Sequence, residues 1–315
     1  MPEEKNTKEF DIVIIGAGPA GLTAALYAGR SERSCIILDK LDVGGQVALT
    51  DVIENYPGFS RISGQELVQK FVNQVKIYDV PIEIQEVLKV FNKGERKIVV
   101  TTESEYFGKT VIIATGTKHK TLMVSGGQEL SGKGISYCAL CDGPFYKGKT
   151  VAVIGGGDSA VKEAVYLSRL AKKVYVIHRR DSLRAEKAIQ KKAFQTENIE
   201  FLWSSTVVSV NGTNKVESIT LNKKNTGEQF VLYVDGVFVY IGLIPRTEVF
   251  EVEKDDQGFI RVDKEMMTSI SGIFAAGDCA LQRNGRTWGQ ISVCVSDGAK
   301  AAISADEYIS KILEE

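Results

Sequence analysis

Apolar positions along this chain gather in short runs, and two of those runs share one layout. Phe10-Asp-Ile-Val-Ile-Ile15 reads as a buried strand, followed by the turn Gly16-Ala-Gly-Pro-Ala-Gly21 and a small-residue helix over 22–28. Val151-Ala-Val-Ile154 is a second such strand, followed by Gly155-Gly-Gly157-Asp-Ser-Ala160 and a helix over 161–171. Each unit then runs into another apolar strand, 35–38 in the first and 174–177 in the second. A strand, a G-x-G-x-x-G/A turn, a helix and a parallel strand make a βαβ unit, and two of them imply two nucleotide-binding domains on parallel sheets.

The order of the remaining runs predicts how the two domains share the chain. Strands are expected at 97–102 and 110–114, and Ala114-Thr115-Gly116 closes the first section. After the second unit come a polar stretch with turn signals at Asn211-Gly212 and Asn225-Thr-Gly227, then an apolar strand over 236–240. Gly242-Leu-Ile-Pro245 reads as a crossover, Gly272-Ile-Phe-Ala-Ala-Gly-Asp278 as a strand ending in a Gly-Asp turn, and 298–313 as a closing helix. The expectation is an α/β protein with one Rossmann-like domain interrupted by another, the first formed by residues 1–118 and 246–315, the second by 119–245.

Composition narrows the function classes. Hydrophobic residues are 43% and charged residues 25%, with a net charge of −1, which is the balance of a soluble globular chain. No basic face argues for nucleic acid or an anionic membrane as partner. Residues 12–29 run for 18 positions without a charge, but Gly16, Gly18, Pro19 and Gly21 interrupt them, so they do not form one membrane-spanning helix. The polar first ten residues lack the apolar centre of a signal peptide, so a cytoplasmic location is expected. Five cysteines, an odd and sparse number, do not make a secreted disulfide framework. Cys35 and Cys294 sit in apolar runs and read as small buried hydrophobes, whereas Cys279 follows the Gly-Asp turn with no assigned role.

The two glycine turns lead to strands with opposite endings. In the first, Gly16, Gly18, Pro19, Ala20 and Gly21 let the backbone approach a pyrophosphate that rests on the helix N-terminus. The next strand ends at Asp39, whose carboxylate accepts ribose hydroxyls and repels a 2′-phosphate, so this site suits FAD or NAD. The second turn, with Gly155, Gly157, Asp158, Ser159 and Ala160, leads instead to His178, Arg179 and Arg180, with Arg184 four residues on. Guanidinium groups there suit a 2′-phosphate through charge-assisted hydrogen bonds, so the second site favours NADPH.

Two such sites suit a hydride path from nicotinamide to flavin, and Cys138-Ala-Leu-Cys141-Asp142 supplies a destination for the electrons. Two intervening residues let the sulfurs bond within one turn and lower the pKa of one thiol. Asp142 is placed to give a proton to a departing thiolate or to take one from an attacking thiol. Zinc is the bland alternative, but no second C-x-x-C or nearby His pair completes four ligands, so no metal is expected.

With these motifs in hand, the chain resembles the low-molecular-weight thioredoxin reductases over nearly its whole length. The resemblance rests on the first glycine turn, Gly44-Gly45-Gln46, Glu54-Asn55-Tyr-Pro-Gly58, Ala114-Thr115-Gly116, Ser136-Tyr-Cys-Ala-Leu-Cys-Asp-Gly143, the second glycine turn, His178-Arg-Arg180 and Ala275-Ala-Gly277-Asp278. It implies FAD contacts from Gln46, Asn55 and Asp278 and from their neighbours Gly45, Thr115, Gly116 and Gly277, a homodimer, and a cysteine pair carried by the inserted NADPH domain. It also implies that Cys141 faces the flavin, that Cys138 attacks a thioredoxin-like partner, and that the linkers near 116–120 and 242–245 absorb a domain rotation.

One stretch departs from the pattern. The family has Arg-Gln where this chain reads Trp288-Gly289-Gln290, so Gln290 and Ile291 keep their expected flavin contacts while an arginine is missing. Relatives with altered signatures take electrons from other donors, but His178, Arg179 and Arg180 argue for NADPH. The alternatives are another electron donor, or a glutaredoxin-like or peroxiredoxin-system partner. Ferredoxin–NADP reductases share the build without the cysteine pair. Peroxiredoxin-reducing flavoproteins carry an N-terminal thioredoxin-like domain, which the short stretch before the first strand leaves unexpected here. A non-catalytic FAD sensor would need no second dinucleotide site.

Overall fold

A computed structural model describes residues 6–41, 43–281 and 289–314. The chain divides into two compact units, one running through Lys118 and resuming at Ile244, the other spanning His119–Leu243.

The first unit begins with β1 (Asn6–Ile15), α1 (Pro19–Arg30), β2 (Cys35–Asp39), α2 (Gly64–Lys76), β3 (Ile82–Ile84), β4 (Val87–Lys93), β5 (Arg96–Thr101) and β6 (Ser104–Ile113). With the strand Ile273–Ala275 these form a seven-stranded sheet in the order β3-β2-β1-β6-β5-β4, Ile273–Ala275 pairing beside β6. The pairs β1–β2, β1–β6, β2–β3 and Ile273–Ala275 with β6 are parallel, whereas β4–β5 and β5–β6 are antiparallel. Burial explains the division. Ile12 to Ile14 and Ile36 to Leu38 are fully buried, as expected of strands covered on both faces. β5 and the first half of β6 alternate buried and half-buried positions, the mark of a sheet with one wet face, while the last four residues of β6 are all buried. That change falls where β6 exchanges β5 for Ile273–Ala275 as its neighbour.

The sequence pattern did not predict α2, whose entry is fixed by a capping box between Ser63 and Glu66. The closing helix runs Ile291–Glu314, starting well before the expected 298. Gly298 lies inside it, where a Cβ would come 2.1 Å from the Ala20 carbonyl oxygen, so this glycine lets two helices of the unit pack closely.

The second unit holds a five-stranded parallel sheet in the order Ile199–Leu202, Lys173–Ile177, Thr150–Ile154, Gly236–Val239 and Ile135–Ser136. Val151, Val153, Val174, Val176 and Phe238 pack against Ala160, Val161, Ala164 and Leu167 of the helix Asp158–Ser168. The polar stretch after it is a three-stranded antiparallel sheet, Ser205–Asn211, Ser218–Lys223 and Gln229–Tyr233. The glycines of its turn signals, Gly212 and Gly227, both carry positive φ.

Candidate functional site

The first glycine turn is built for close backbone approach. Gly16 has φ +111°, and a Cβ there would come 2.3 Å from the Ala114 carbonyl oxygen; a Cβ on Gly21 would come 1.8 Å from the Gly16 oxygen. Gly18 is the N-cap of α1 and Pro19 its first residue, with no side-chain cap and no acidic residue in the first turn. The first backbone N–H groups of α1 therefore remain available as donors, and no protein atom lies within 4 Å of where a Gly18 Cβ would sit. This is a cradle that fits a pyrophosphate. Ala20 is buried against Gly277 and Gly298.

Asp39, half-buried at the end of β2, accepts the Ala17 N–H at 2.6 Å and the Leu41 N–H at 3.0 Å. An ionised carboxylate has further lone pairs, so it keeps acceptor capacity for ribose hydroxyls. Gly45 opens a 3₁₀ turn beside Gly18, and Gln46 donates to Thr117 at both its carbonyl, 3.1 Å, and its hydroxyl, 2.8 Å. Gly116 has φ +60°, and the Thr115 hydroxyl donates to the Arg246 carbonyl at 2.6 Å.

Asn55 and Gln290 meet directly, the Asn55 amide donating to Gln290 at 3.0 Å. Ile291 packs beside Ile53, Ile62 and Leu67. Asp278 follows Gly277 in a short 3₁₀ turn and accepts the Cys294 thiol at 3.4 Å; burial pushes its carboxyl up from the ordinary value. Burial also pushes up the thiols of Cys35, Cys279 and Cys294, so none of them is an activated nucleophile. Gly289 is exposed with φ +57°, and Trp288 lies outside the described residues.

The second turn repeats the plan with a different frame. Gly155 has φ +146° against the Tyr240 carbonyl and the Ala160 methyl, and Gly157 caps the helix Asp158–Ser168 with open space beside it. Asp158 accepts the Glu186 N–H at 2.7 Å, and Ser159 is exposed in the first turn. The Arg184 N–H donates to the Gly156 carbonyl at 2.7 Å, which ties the Arg184 loop to the glycine turn.

Arg179, Arg180 and Arg184 are all exposed, and among the described residues none forms an ion pair. His178 is only 4% exposed, and its Nε2 has no hydrogen-bond partner. Burial, and after it the charges of Arg184, Arg180 and Arg179, hold His178 below its ordinary value, so the ring is neutral near pH 7. Three unpaired guanidinium groups with an orphaned buried nitrogen beside a bare helix N-terminus fit a phosphorylated ribose.

Cys138 and Cys141 form a disulfide. Cys138 caps the short helix Ala139–Asp142, and its sulfur accepts the Cys141 N–H at 3.1 Å. Cys141 is exposed and Cys138 half-buried, so exposure by itself does not select Cys138 as the attacking sulfur. Asp142 accepts the Ser136 hydroxyl at 2.6 Å, and Ser136 Oγ accepts the Cys138 N–H at 3.1 Å. The Tyr240 hydroxyl accepts the Ala139 N–H at 3.0 Å, and its ring meets His119 edge-on at 5.6 Å. Burial raises the Tyr240 phenol, which therefore keeps its proton at neutral pH.

The structure thus gathers much of the predicted set into three places: the first turn with Asp39, the second turn with the His178 and arginine segment, and the disulfide with Asp142; Gln46 meets Thr117, and Asn55 meets Gln290, apart from these. Sequence reasoning gave no role to Ser136, Thr117 or Tyr240. Ser136 had a weak signal, two residues before the first cysteine; Tyr240 had none, since only folding brings it to Ala139. Among the described residues, no group of three or more His, Cys, Asp or Glu side chains is arranged to hold a metal ion.

Known proteins resemble this chain over nearly its whole length. The profile of the pyridine nucleotide-disulphide oxidoreductases matches residues 10–298. A thioredoxin reductase of Bacillus subtilis is 43% identical over 317 residues, covering 100% of this chain and 98% of that protein. A thioredoxin reductase of Listeria monocytogenes is 41% identical over 310 residues, covering 98% and 96%. The crystal structure of Lactococcus lactis thioredoxin reductase matches with a TM-score of 0.93 and 40% identity, over 96% of this chain and 99% of that one.

Proposed function

This chain belongs to the pyridine nucleotide-disulphide oxidoreductase family, and from that premise we propose that it is a thioredoxin reductase. It carries electrons from NADPH through FAD and the Cys138–Cys141 disulfide to the disulfide of a thioredoxin-like protein. The observation that carries this reading is the disulfide of a C-x-x-C-D turn in the unit that also holds the three unpaired arginines.

FAD and NADPH, when bound, supply two-electron hydride chemistry. The residues of the first unit hold FAD: the α1 N-terminus with Gly16, Gly18 and Gly21 takes the pyrophosphate, Asp39 the ribose, and Gln46, Asn55, Asp278 and Gln290 the remaining polar contacts. Gly155, Gly157, His178, Arg179, Arg180 and Arg184 hold NADPH in the second. Opening the disulfide takes two electrons and yields two sulfurs that need two protons, one of them passed by Asp142. Cys138 then attacks the partner disulfide as a thiolate, and Cys141 releases the mixed disulfide by attacking Cys138, which restores the internal bond. The proposed enzyme is a homodimer located in the cytoplasm.

Anaerobic titration of the FAD-loaded protein with NADPH and NADH, followed by addition of oxidised thioredoxin, tests the whole path. Cys138→Ser and Cys141→Ser should each abolish thioredoxin reduction while leaving FAD bound and reducible. Retained turnover in either variant refutes the reading.

A further inference from the structure

Ser136 touches both partners of the disulfide chemistry, the Asp142 carboxylate and the Cys138 backbone. We propose that Ser136 is a positioning residue of this centre, which holds Asp142 in place and re-pairs its single hydroxyl proton whenever Asp142 gains or loses one. The proposal rests on the reading of Cys138, Cys141 and Asp142 as the reducing centre.

The strand Ile135–Ser136 is short but pinned, with Ile135 opposite Val237 and Ser136 opposite Phe238, and Ser136 is 5% exposed. Its Oγ lies within reach of three groups: Asp142 Oδ2 at 2.6 Å, the Cys138 nitrogen at 3.1 Å and the Cys138 carbonyl oxygen at 3.2 Å. A hydroxyl has one proton to give and two lone pairs to accept with. The Cys138 N–H occupies one lone pair in every state. When Asp142 is ionised, the serine proton goes to it in the shorter, charge-assisted bond. When Asp142 is protonated, its O–H donates to the second lone pair of Ser136, and the serine proton turns to the Cys138 carbonyl.

Both states are fully paired, so a change of charge on Asp142 strands no buried polar group. The balance in the reducing direction is simple. Two electrons cleave the S–S bond; one thiolate takes its proton from the Asp142 carboxyl, the other from solvent, and water reprotonates Asp142. Ser136 gains and loses no proton overall. It changes acceptor, and that keeps the Asp142 carboxyl tied to the Cys138 backbone through the cycle.

Among the described residues, Asp142 also acts on Tyr146 and Tyr240, both raised by burial and so neutral at pH 7, with Glu163 acting on Tyr240. None of them replaces the serine as a donor at 2.6 Å.

The test compares Ser136→Ala and Ser136→Thr in the FAD-loaded protein, alone and with Asp142→Asn. Ser136→Ala should accept hydride from NADPH at the wild-type rate and lose about tenfold in thioredoxin turnover, the low end of what acid–base help contributes. Ser136→Thr should recover most of the rate, because it restores the hydroxyl, and Ser136→Ala added to Asp142→Asn should cost nothing further. If Ser136→Ala does not fold, Ser136→Cys, a poorer donor, serves for the same comparisons. No recovery of rate in Ser136→Thr, or losses that add to those of Asp142→Asn, overturn the proposal. Turnover retained by Cys138→Ser would instead overturn the reading beneath it.

Discussion

The hydroxyl of Tyr240 accepts the N–H of Ala139 at 3.0 Å, joining residues 101 positions apart. The first N–H groups of any helix lack intrahelical partners, and the helix Ala139–Asp142 is too short to supply alternatives. Tyr240, just past the strand Gly236–Val239, thus caps the turn that carries the disulfide from elsewhere in the same unit. Tyr240→Phe leaves the Ala139 N–H, on a residue 1% exposed, without its partner. The loss should be about 1–3 kcal/mol, read as a lower Tm and slower disulfide reduction. An unchanged Tm would mean that the hydroxyl does not serve as the cap.

Coenzyme choice should rest on the unpaired arginines. Replacing Arg179 and Arg180 by Gln removes charge-assisted bonds worth about 1.5–3 kcal/mol each, so NADPH affinity should fall tenfold or more per residue while NADH affinity stays nearly constant. Equal losses for both coenzymes, measured by calorimetry, would detach these side chains from the 2′-phosphate.

The first turn offers two glycines with opposite surroundings. Gly21→Ala would place a methyl 1.8 Å from the Gly16 carbonyl oxygen, backbone that cannot step aside, so it should fail to fold or to retain FAD. Gly18→Ala meets open space and should fold normally, yet bind FAD weakly because the methyl fills the pyrophosphate cradle. Flavin content per folded protein, with circular dichroism alongside, separates the two. Full flavin in Gly18→Ala would put the pyrophosphate elsewhere.

Cys294 donates its thiol to Asp278 at 3.4 Å. Cys294→Ala should therefore loosen the orientation of that carboxylate and weaken FAD binding by a few-fold, in line with roughly 0.5–1.5 kcal/mol for one net hydrogen bond. Cys294→Ser, with a stronger donor, should keep the affinity. Fluorescence titration of the apoprotein with FAD checks both, and equal affinity for Ala and wild type would leave the thiol a packing role only.

Acid stability has a defined sign. His178 and His119 are both held below the ordinary histidine value, chiefly by burial. As pH falls through about 6.5, the unfolded chain takes up protons that the folded chain still refuses. The unfolded state then binds more protons, and stability falls with pH. The loss continues down to the depressed folded values and then levels off. Denaturant melts between pH 7.5 and 5.5 should show this fall, and His178→Asn should reduce it. A slope unchanged by His178→Asn would assign the effect to other groups.

Much of this was legible in the residues because nucleotide-binding units write their chemistry locally. A strand of β-branched residues, three glycines and a small-residue helix occupy some twenty consecutive positions, and the ribose signature stands at the end of the next strand, so Asp39 and the His178–Arg180 segment could be placed by counting. The cysteine pair was equally local. Less legible were α2, β4 and the first half of β6, where polar and charged residues on the wet face break the apolar runs.

The amino-acid sequence by itself determined the two strand–glycine turn–helix–strand units and which two sulfurs pair, because each depends on neighbours within a few residues. Tertiary structure alone decided that Tyr240 caps Ala139, that Asn55 meets Gln290 across 235 positions, and that Gly298 lets the closing helix reach Ala20. These contacts depend on how sheet order and helix packing bring distant segments within hydrogen-bond range, and no spacing along the chain encodes that distance.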